Sequence, residues 1–318
     1  MNAPAVSVII PTYNRADLLP ETLTSVLGQT LADIEVIVVD DGSTDDTAGV
    51  VAGMADSRLR HIKNERTGLP AAGRNVGISA ARADLLAFVD SDDLWLPEKL
   101  AVQTRHLDEH PEVQWCFTHY NFLDHASGAV EPRPRPMIPP PGPQRLAQLL
   151  GYNFVGSPTV LVRRELLERT GPFDEAWELR FVEDWELWLR LEAASPGAEL
   201  AEPLALYRRH PANATACPDL HAAGLRYHAG ALRAVAANPQ AYAAHLPAAL
   251  TSLLTRVIKV LLVQGHNDQA RDLCRRALIA PVRQPGLVLL SALAALPVAG
   301  SGALLSLNRR LKSLAGRV

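Results

Sequence analysis

Short apolar runs alternate with amphipathic segments along the first ninety residues of the chain. The apolar runs have the pattern of buried strands, and they are Val6–Pro11, Glu35–Asp40, the weaker Leu59–Lys63, and Leu85–Asp90. Two of the segments between them begin at Asn14 and at Ser43, each with an aspartate three residues later, which is close to the capping box of a helix. This alternation of strand and helix predicts an α/β fold with a doubly wound, mainly parallel sheet.

A proline-rich stretch divides the next part of the chain. Residues 131–143 are rich in proline and predict an extended connection rather than a helix or a strand. Residues 155–210 return to the earlier pattern. We expect a strand near Val160, a helix over Arg164–Thr170 and a second helix from about Val182 to Ala193.

The composition changes again after Pro218, where alanine and leucine become frequent in a pattern typical of helices. We therefore expect a first domain over residues 1–217 and a helical C-terminal region over residues 218–318. This C-terminal region would contact a membrane or a partner chain, or would pack on the first domain.

The segment Leu287–Leu307 contains no charged residue and is long enough to cross a bilayer. Pro297 and two glycines interrupt it, which favours two short helices over a single span. Four basic residues follow it, at positions 309, 310, 312 and 317, so these helices could lie on an anionic membrane surface.

Polar residues follow three of the four predicted strands at the point where each strand ends. These segments are Pro11-Thr12-Tyr13-Asn14, Asp40-Asp41-Gly42-Ser43 and Asp90-Ser91-Asp92-Asp93. Ligands bind outside the carboxyl ends of the strands in sheets of this type. Because the five acidic residues would repel one another, the pattern favours a site that binds a cation or a polar ligand.

The carboxylates at these strand ends have more than one interpretation. Asp90 and Asp92 are spaced to face one ligand, and carboxylates of this kind hold Mg²⁺ or Mn²⁺ together with substrate phosphates. A solvated turn is the alternative. Asp41 could accept a hydrogen bond from a nucleobase N–H, whereas a helix N-cap supplied by Asp41 or Ser43 is the other possibility. The acidic pocket of a receiver domain is a further alternative for this segment.

The composition excludes several classes of protein. The 318 residues are 48% hydrophobic and 20% charged, so the chain can bury a core, and its net charge of -3 argues against general nucleic-acid binding. The three cysteines are far apart, which excludes a disulfide framework and a cysteine-rich zinc site. Pro11-Thr12-Tyr13-Asn14 stands where a nicotinamide-binding domain would have Gly-x-Gly-x-x-Gly, and the chain has no P-loop motif.

Four motifs together resemble family 2 glycosyltransferases, which are inverting nucleotide-sugar enzymes with the GT-A fold. The motifs are Ser7-Val8-Ile9-Ile10-Pro11-Thr12-Tyr13-Asn14-Arg15, Val39-Asp40-Asp41-Gly42-Ser43-Thr44-Asp45, Gly73-Arg74-Asn75 and Asp90-Ser91-Asp92-Asp93. Their order and spacing match over about residues 4 to 215.

The resemblance implies a role for each motif. The residues implied in binding the donor nucleotide are Pro11, Thr12, Tyr13, Arg15, Asp40, Asp41, Arg74, Asp90 and Ser91. Among them, Asp41 would read the N–H of uracil. Asp92 would bind the divalent cation, Mn²⁺ or Mg²⁺.

Glu183 and Asp184 open the amphipathic segment Trp185–Leu191. Acidic residues in a first helical turn are stabilised by the helix dipole, which is the structural interpretation. The family places its general base in such a Glu-Asp pair before a tryptophan-rich helix. The resemblance therefore implies Asp184 as the base, with Glu183 as a second candidate or an acceptor contact.

Two further segments have both a functional and a structural interpretation. Tyr207-Arg208-Arg209-His210 resembles the family's loop over the donor, which would bring Arg208 and His210 to the diphosphate; a solvated basic loop is the alternative. Trp177 and Trp185 could stack on an acceptor sugar, although packing is the commoner use of tryptophan.

The separated cysteines fit a reducing compartment and so predict a cytoplasmic protein, and its C-terminal segment could bring it to the inner face of the membrane. The resemblance implies an enzyme that transfers a sugar with inversion. The donor would be a nucleotide sugar, with UDP favoured over dTDP or GDP, and the acceptor a glycan or lipid-linked hydroxyl. A catalytically inactive binding or scaffold protein is the alternative. A nucleotidyltransferase would have a glycine-rich loop with arginine and lysine after the first strand, which this chain lacks.

Overall fold

The computed structural model describes residues 3–213 and 220–242, together with residues 261, 268, 269 and 272. In this part of the chain, nine strands form one mixed sheet. The strands are β1 (Val6–Thr12), β2 (Ile34–Asp40), β3 (Leu59–Lys63), β4 (Leu85–Phe88), β5 (Leu94–Trp95), β6 (Trp115–Asp124), β7 (Val130–Glu131), β8 (Val160–Arg163) and β9 (Ala198–Arg209).

The helices fill most of the connections between these strands. They are α1 (Leu19–Leu27), α2 (Thr47–Gly53), α3 (Pro70–Ala80), α4 (Lys99–Glu109), α5 (Pro143–Gly151), α6 (Arg164–Thr170), α7 (Glu183–Ala194), α8 (Leu220–Ala237) and α9 (Pro239–Tyr242), with short 3₁₀ turns at Ser157–Thr159 and Trp177–Leu179.

The sheet order is β3-β2-β1-β4-β8-β6-β9-β5, with β7 paired to β6. The strands β3, β2, β1 and β4 are parallel, whereas β8 is antiparallel to β4 and β6, and β5 is antiparallel to β9. Thr12 is aligned with Asp40 in the register of β1 and β2. The parallel half of the sheet thus brings the ends of β1, β2 and β4 to one edge, as the alternating sequence pattern predicted.

The sheet is covered on both faces, and alternate residues of β1 enter different cores. Ile9 belongs to one core with Trp188 of α7, whereas Val8 and Ile10 belong to the other with Leu23 of α1. Because both faces of the strand are buried, an uninterrupted apolar sequence is favoured over an alternating one.

The first two helices begin later than their capping pattern predicts. They start at Leu19 and Thr47 because the side chains expected to cap them bond across the two loops instead. Ser43 Oγ accepts a hydrogen bond from the backbone N–H of Asn14 at 2.8 Å, and Asn14 Oδ1 accepts one from the N–H of Thr44 at 2.8 Å. These bonds hold the ends of β1 and β2 together at the edge of the sheet.

The later elements agree closely with the sequence pattern. The helix over Arg164–Thr170 is confirmed, and α7 begins one residue after the predicted Val182. The proline-rich stretch contains no helix or strand between residues 132 and 142, although β7 and α5 include its two ends.

The described part of the C-terminal region packs on the first domain. The rings of Trp185 and Tyr227 meet edge to face with centroids 5.2 Å apart, and the hydroxyl of Tyr242 donates to the carbonyl of Leu189 at 2.6 Å. The domain boundary at residues 217 and 218 stays a prediction.

The apolar segment Leu287–Leu307 lies outside the described residues, so its contact with a membrane also stays a prediction. Among the helices that are described, none combines the length and the apolar character needed to cross a bilayer.

Candidate active site

A pocket of about 590 Å³ lies at the edge of the sheet where β1, β2 and β4 end. It contains eleven of the side chains that the sequence singled out. They are Pro11, Thr12, Tyr13, Arg15, Asp41, Arg74, Asp90, Ser91, Asp92, Glu183 and Asp184. Residues separated by more than 170 positions along the chain therefore converge on one cavity.

Asp41 is fixed by the loop that follows β3. Its carboxylate accepts hydrogen bonds from the backbone N–H groups of Thr67 and Gly68, both at 2.8 Å, and from the Thr67 hydroxyl at 2.9 Å. Arg66 adds an ion pair to the same carboxylate. Asp41 is thus held at the pocket wall by four donors and does not cap a helix.

Arg66 also covers the other candidate contact for a nucleobase. Its guanidinium carbon lies 3.4 Å from the centroid of the Tyr13 ring, the distance of a close cation–π contact. Arg66 belongs to no recognisable motif, and the sequence analysis did not identify it. Its contacts with Tyr13 and Asp41 depend on how the loop after β3 packs against the ends of β1 and β2.

Arg74 connects the two acidic sides of the pocket. It lies on α3, which can approach β1 closely because Gly77 has no side chain. A Cβ at that position would collide with Ile9. Its guanidinium donates to Asp90 Oδ1 at 2.6 Å and to Glu183 Oε1 at 2.7 Å. Although burial acts to lower it, these two carboxylates raise the pKa of Arg74 above its usual value, so the cation is firmly held.

Asp184 stands beside this ion pair and has the properties of a proton acceptor. Burial, followed by the neighbouring Glu183, raises the pKa of Asp184 to about 7, while Arg74 and the N–H of Trp185 act in the opposite direction. A carboxylate that titrates near neutral pH can accept a proton and release it again under physiological conditions. Glu183 is more deeply buried than Asp184 and forms an ion pair with Arg74.

Asp92 is held by the segment that follows β9. Its Oδ2 lies 3.0 Å from His210 Nε2 and 3.6 Å from the guanidinium of Arg15. Burial, and then the charge of Asp90, raise the pKa of Asp92 above its usual value, although His210 and Arg15 oppose the shift. The repulsion between Asp90 and Asp92 is of the kind that a bound cation relieves.

The carboxylate oxygens of Asp90 and Asp92 suit a hard divalent cation, which also takes phosphate oxygens as ligands. Within residues 3–213, 220–242 and the four isolated positions, no group of three or more His, Cys, Asp or Glu side chains is arranged to hold a metal ion. A cation would therefore complete its coordination with water or with the donor's phosphates.

Five of the predicted site residues do not line the pocket. Arg208 is 3% exposed, and its guanidinium donates to the carbonyl of Asp92 and to Glu21, both at 2.8 Å. It therefore supports the Asp90–Asp93 segment from outside the pocket, and its contact with the diphosphate stays a prediction. His210 is similarly occupied by Asp92.

The Asp40 side chain stabilises the backbone and does not line the pocket. Its Oδ1 accepts a hydrogen bond from the N–H of Ser43 at 2.8 Å, which stabilises the turn after β2. Trp185 is fully buried in the core and donates its indole N–H to the carbonyl of Leu149 at 2.7 Å. The interpretation of Trp185 as an acceptor contact is wrong, because no face of its ring is available to a sugar.

Trp177 is the opposite case. It is 59% exposed and lies against Gly68, beside the pocket but outside its lining. Arg180 and Phe181, which follow it, do line the pocket, and neither was identified from the sequence. Phe181 has a φ of 73°, in the left-handed region that a bulky residue rarely adopts. No sequence motif marks this strained turn before α7.

Comparison with known proteins finds relatives over more than half of the chain. The family model for "Glycosyl transferase family 2" matches residues 7–171. The Escherichia coli protein WfaP, a UDP-Glc:alpha-D-GlcNAc-diphosphoundecaprenol beta-1,3-glucosyltransferase, is 34% identical over 187 residues, which are 58% of this chain and 69% of WfaP. WfgD of Escherichia coli, with the same described activity, is 31% identical over 188 residues, again 58% of this chain and 69% of the relative.

Solved structures share the same architecture. TarS of S. aureus, in its complex with UDP-GlcNAc, superposes with a TM-score of 0.67 and 22% identity, covering 87% of this chain and 81% of TarS. The mannosyltransferase PcManGT of Pyrobaculum calidifontis, in complex with GDP-Man and Mn²⁺, gives a TM-score of 0.55 and 21% identity, covering 93% and 81%. At these identities the likeness bears on the fold alone, and it confirms the predicted GT-A type α/β architecture.

Proposed function

The chain belongs to glycosyl transferase family 2, as its motifs predicted, and on this premise we propose that it transfers a sugar from a UDP-sugar to a hydroxyl group of a glycan or lipid-linked acceptor, with inversion. One observation carries the proposal. A carboxyl group whose pKa is raised to about 7, that of Asp184, shares a pocket with the Asp90–Asp92 pair. These two features match the two requirements of such a transfer, a base for the acceptor and a site for a diphosphate.

The nucleotide would bind at the ends of β1 and β2. Tyr13 offers an aromatic face and Asp41 a carboxylate that can accept a hydrogen bond from the N–H of uracil. Because Arg66 already contacts both side chains, the base would displace the Arg66 guanidinium as it enters. The three bonds from Thr67 and Gly68 would keep Asp41 in position meanwhile.

The donor's diphosphate would lie near the end of β4. Arg15 lines the pocket and pairs loosely with Asp92, so its charge is available to a phosphate. Asp90 and Asp92 would hold Mn²⁺ or Mg²⁺, which when bound neutralises charge on the departing nucleoside diphosphate. His210, bonded to Asp92 Oδ2, would orient that carboxylate.

Asp184 would act on the acceptor. Its carboxylate takes the proton of the acceptor hydroxyl while the hydroxyl oxygen forms a bond to the anomeric carbon. The bond between that carbon and the diphosphate oxygen breaks on the opposite face, and UDP leaves with the electron pair. Glu183 is less suited to this role because its Oε1 is bonded to Arg74 at 2.7 Å.

The named relatives support a lipid-linked acceptor. WfaP and WfgD are described as acting on a GlcNAc unit joined to undecaprenol through a diphosphate. We extend that class of acceptor to this chain as part of the proposal.

Calorimetric titration with UDP, GDP and dTDP, each with and without Mn²⁺, tests the donor site. We expect UDP to bind most tightly, with an affinity that depends on the metal and that Asp92→Ala removes. Failure of every nucleotide to bind would contradict the proposal and would favour the inactive scaffold alternative.

A further inference from the structure

Arg180 lies at one corner of the pocket, in the strained turn that leads into α7. It lines the cavity together with Glu183 and Asp184. Its guanidinium carbon is 5.0 Å from the ring centroid of Trp177 and 4.5 Å from that of Phe181. Arg226 of α8 approaches the same Phe181 ring, at 5.5 Å. Two guanidinium groups thus approach the Phe181 ring, and one of them, that of Arg180, also approaches the exposed ring of Trp177.

The charge of Arg180 is poorly matched within the protein. Its Nε is buried and has no hydrogen-bond partner among the described residues. Burial, and then the charges of Arg66 and Arg226, lower the pKa of Arg180 below its usual value, and Glu183 and Asp41 offset only part of this effect. A buried donor without an acceptor costs free energy, and so do cations held close together.

Arg74, in the same pocket, has the opposite charge environment, although its own Nε also has no hydrogen-bond partner among the described residues. Two carboxylates bind its guanidinium at 2.6 and 2.7 Å, so its positive charge is already compensated within the protein. A bound anion would give Arg180 an ion-pair partner, as Asp90 and Glu183 do for Arg74. Arginine suits this purpose because its planar group can donate two parallel hydrogen bonds to a phosphate.

The position of Arg180 suggests which anion this is. The donor's diphosphate is accounted for at the end of β4, by Arg15 and the cation of Asp90 and Asp92. Arg180 belongs instead to the turn that carries the base, and it adjoins Trp177, which is exposed to solvent. An acceptor whose hydroxyl reaches Asp184 would extend past this turn toward the rim.

We propose that Arg180, flanked by Arg226 and Trp177, binds a phosphate group of the acceptor, so that the acceptor is a glycosyl phosphate or diphosphate and not a neutral glycan. This inference rests on the proposed function and specifies its acceptor. Phe181, whose backbone is in the left-handed region, lines the same cavity beside Arg180.

Two synthetic acceptors test the proposal. One is GlcNAc joined through an α-linked diphosphate to a phenoxyundecyl chain, and the other is GlcNAc joined directly to the same chain. With UDP-glucose as donor, we expect the wild type to prefer the diphosphate. Arg180→Gln should lower kcat/KM for the diphosphate acceptor by about 10–100-fold, mainly through KM, because a charge-assisted hydrogen bond is lost. Activity on the neutral acceptor should be unchanged, and Arg180→Lys should retain part of the preference.

The affinity for UDP and the slow hydrolysis of UDP-glucose without acceptor provide the internal controls. Both should be the same in wild type and Arg180→Gln, which also shows that the variant is folded. Arg105→Gln, at an exposed position of α4, is the matched surface control and should behave as wild type.

Three results would overturn the inference. Equal loss on both acceptors would show that Arg180 does not recognise the phosphate. Weaker UDP binding in Arg180→Gln would assign the residue to the donor instead. In both cases the wild type still binds UDP and hydrolyses UDP-glucose, so the proposed function stands. A wild type that does neither would overturn the proposed function and the inference together.

Discussion

The guanidinium of Arg66 lies 3.4 Å above the ring of Tyr13 while it also pairs with Asp41. One side chain therefore occupies both an aromatic face and a carboxylate, the two groups that the family's motifs assign to the nucleobase. These two groups are connected to each other through Arg66. Entry of a base must break that connection.

Replacing Arg66 with alanine should therefore strengthen UDP binding. The base would no longer compete with a cation–π contact and an ion pair, and we expect the dissociation constant to fall by about 5–30-fold. Titration calorimetry at fixed Mn²⁺ concentration measures the change. Arg82→Ala, which removes a half-exposed arginine paired with Glu35 away from the pocket, is a control for the loss of charge.

The opposite result is equally informative. If Arg66→Ala binds UDP more weakly than the control does, Arg66 forms the second face of the base site, and displacement is wrong.

Substitution of Asp184 by asparagine should stop the transfer without affecting the donor. Because asparagine cannot accept the proton, we expect turnover to fall by about 10²–10⁴-fold, the usual contribution of a positioned base. The wild-type rate should rise with pH and level off above about 7, where the carboxyl group, whose pKa is raised to about 7, has lost its proton. The residual rate of Asp184→Asn should lack this rise.

The sign of the pH effect on stability follows from the same group. A raised pKa means that the folded protein binds the proton more tightly than the unfolded chain does. The contribution of Asp184 to stability is therefore present at low pH and is lost as the pH rises from about 4 to 7. A wild-type rate independent of pH between 5 and 8, or weaker UDP binding in Asp184→Asn, would remove Asp184 from the role of base.

Arg74→Met should destabilise the fold as well as the site. It leaves the buried Glu183 carboxylate without its cation, and breaking a buried ion pair in this way costs about 3–5 kcal/mol. Urea unfolding at pH 8 measures the loss. The double variant with Glu183→Gln should recover much of it, because the deeply buried side chain at position 183, the partner of the arginine, then carries no charge. A double variant no more stable than Arg74→Met would show that packing of the arginine, and not its charge, is what matters.

The sheet edge was predictable because its chemistry is local in sequence. Pro11, Asp41 and Asp92 each follow an apolar strand, and parallel strands place such positions together whatever the details of packing. Asp184 was also within reach, since an acidic pair opens a clearly amphipathic helix.

The residues that were missed or misassigned depend on tertiary contacts. Arg66 and Arg180 lie in loops whose course no periodicity encodes. Arg208 was predicted as a ligand contact because it is basic and near a motif. Its guanidinium instead forms an ion pair with Glu21, which is far away along the chain. Trp185 and Trp177 have similar sequence surroundings, yet one is enclosed by α8 and the other lies at the surface.

The contact between α8 and Trp185 has a consequence for the whole chain. Tyr227 meets the indole edge to face, and a Cβ added at Gly230 would lie 3.2 Å from the same ring. Trp185, the residue that follows the proposed base, thus packs against α8. Because Trp185 directly follows Asp184, a displacement of α8 would move the backbone beside the proposed base, so the position of this helix affects the geometry of the site.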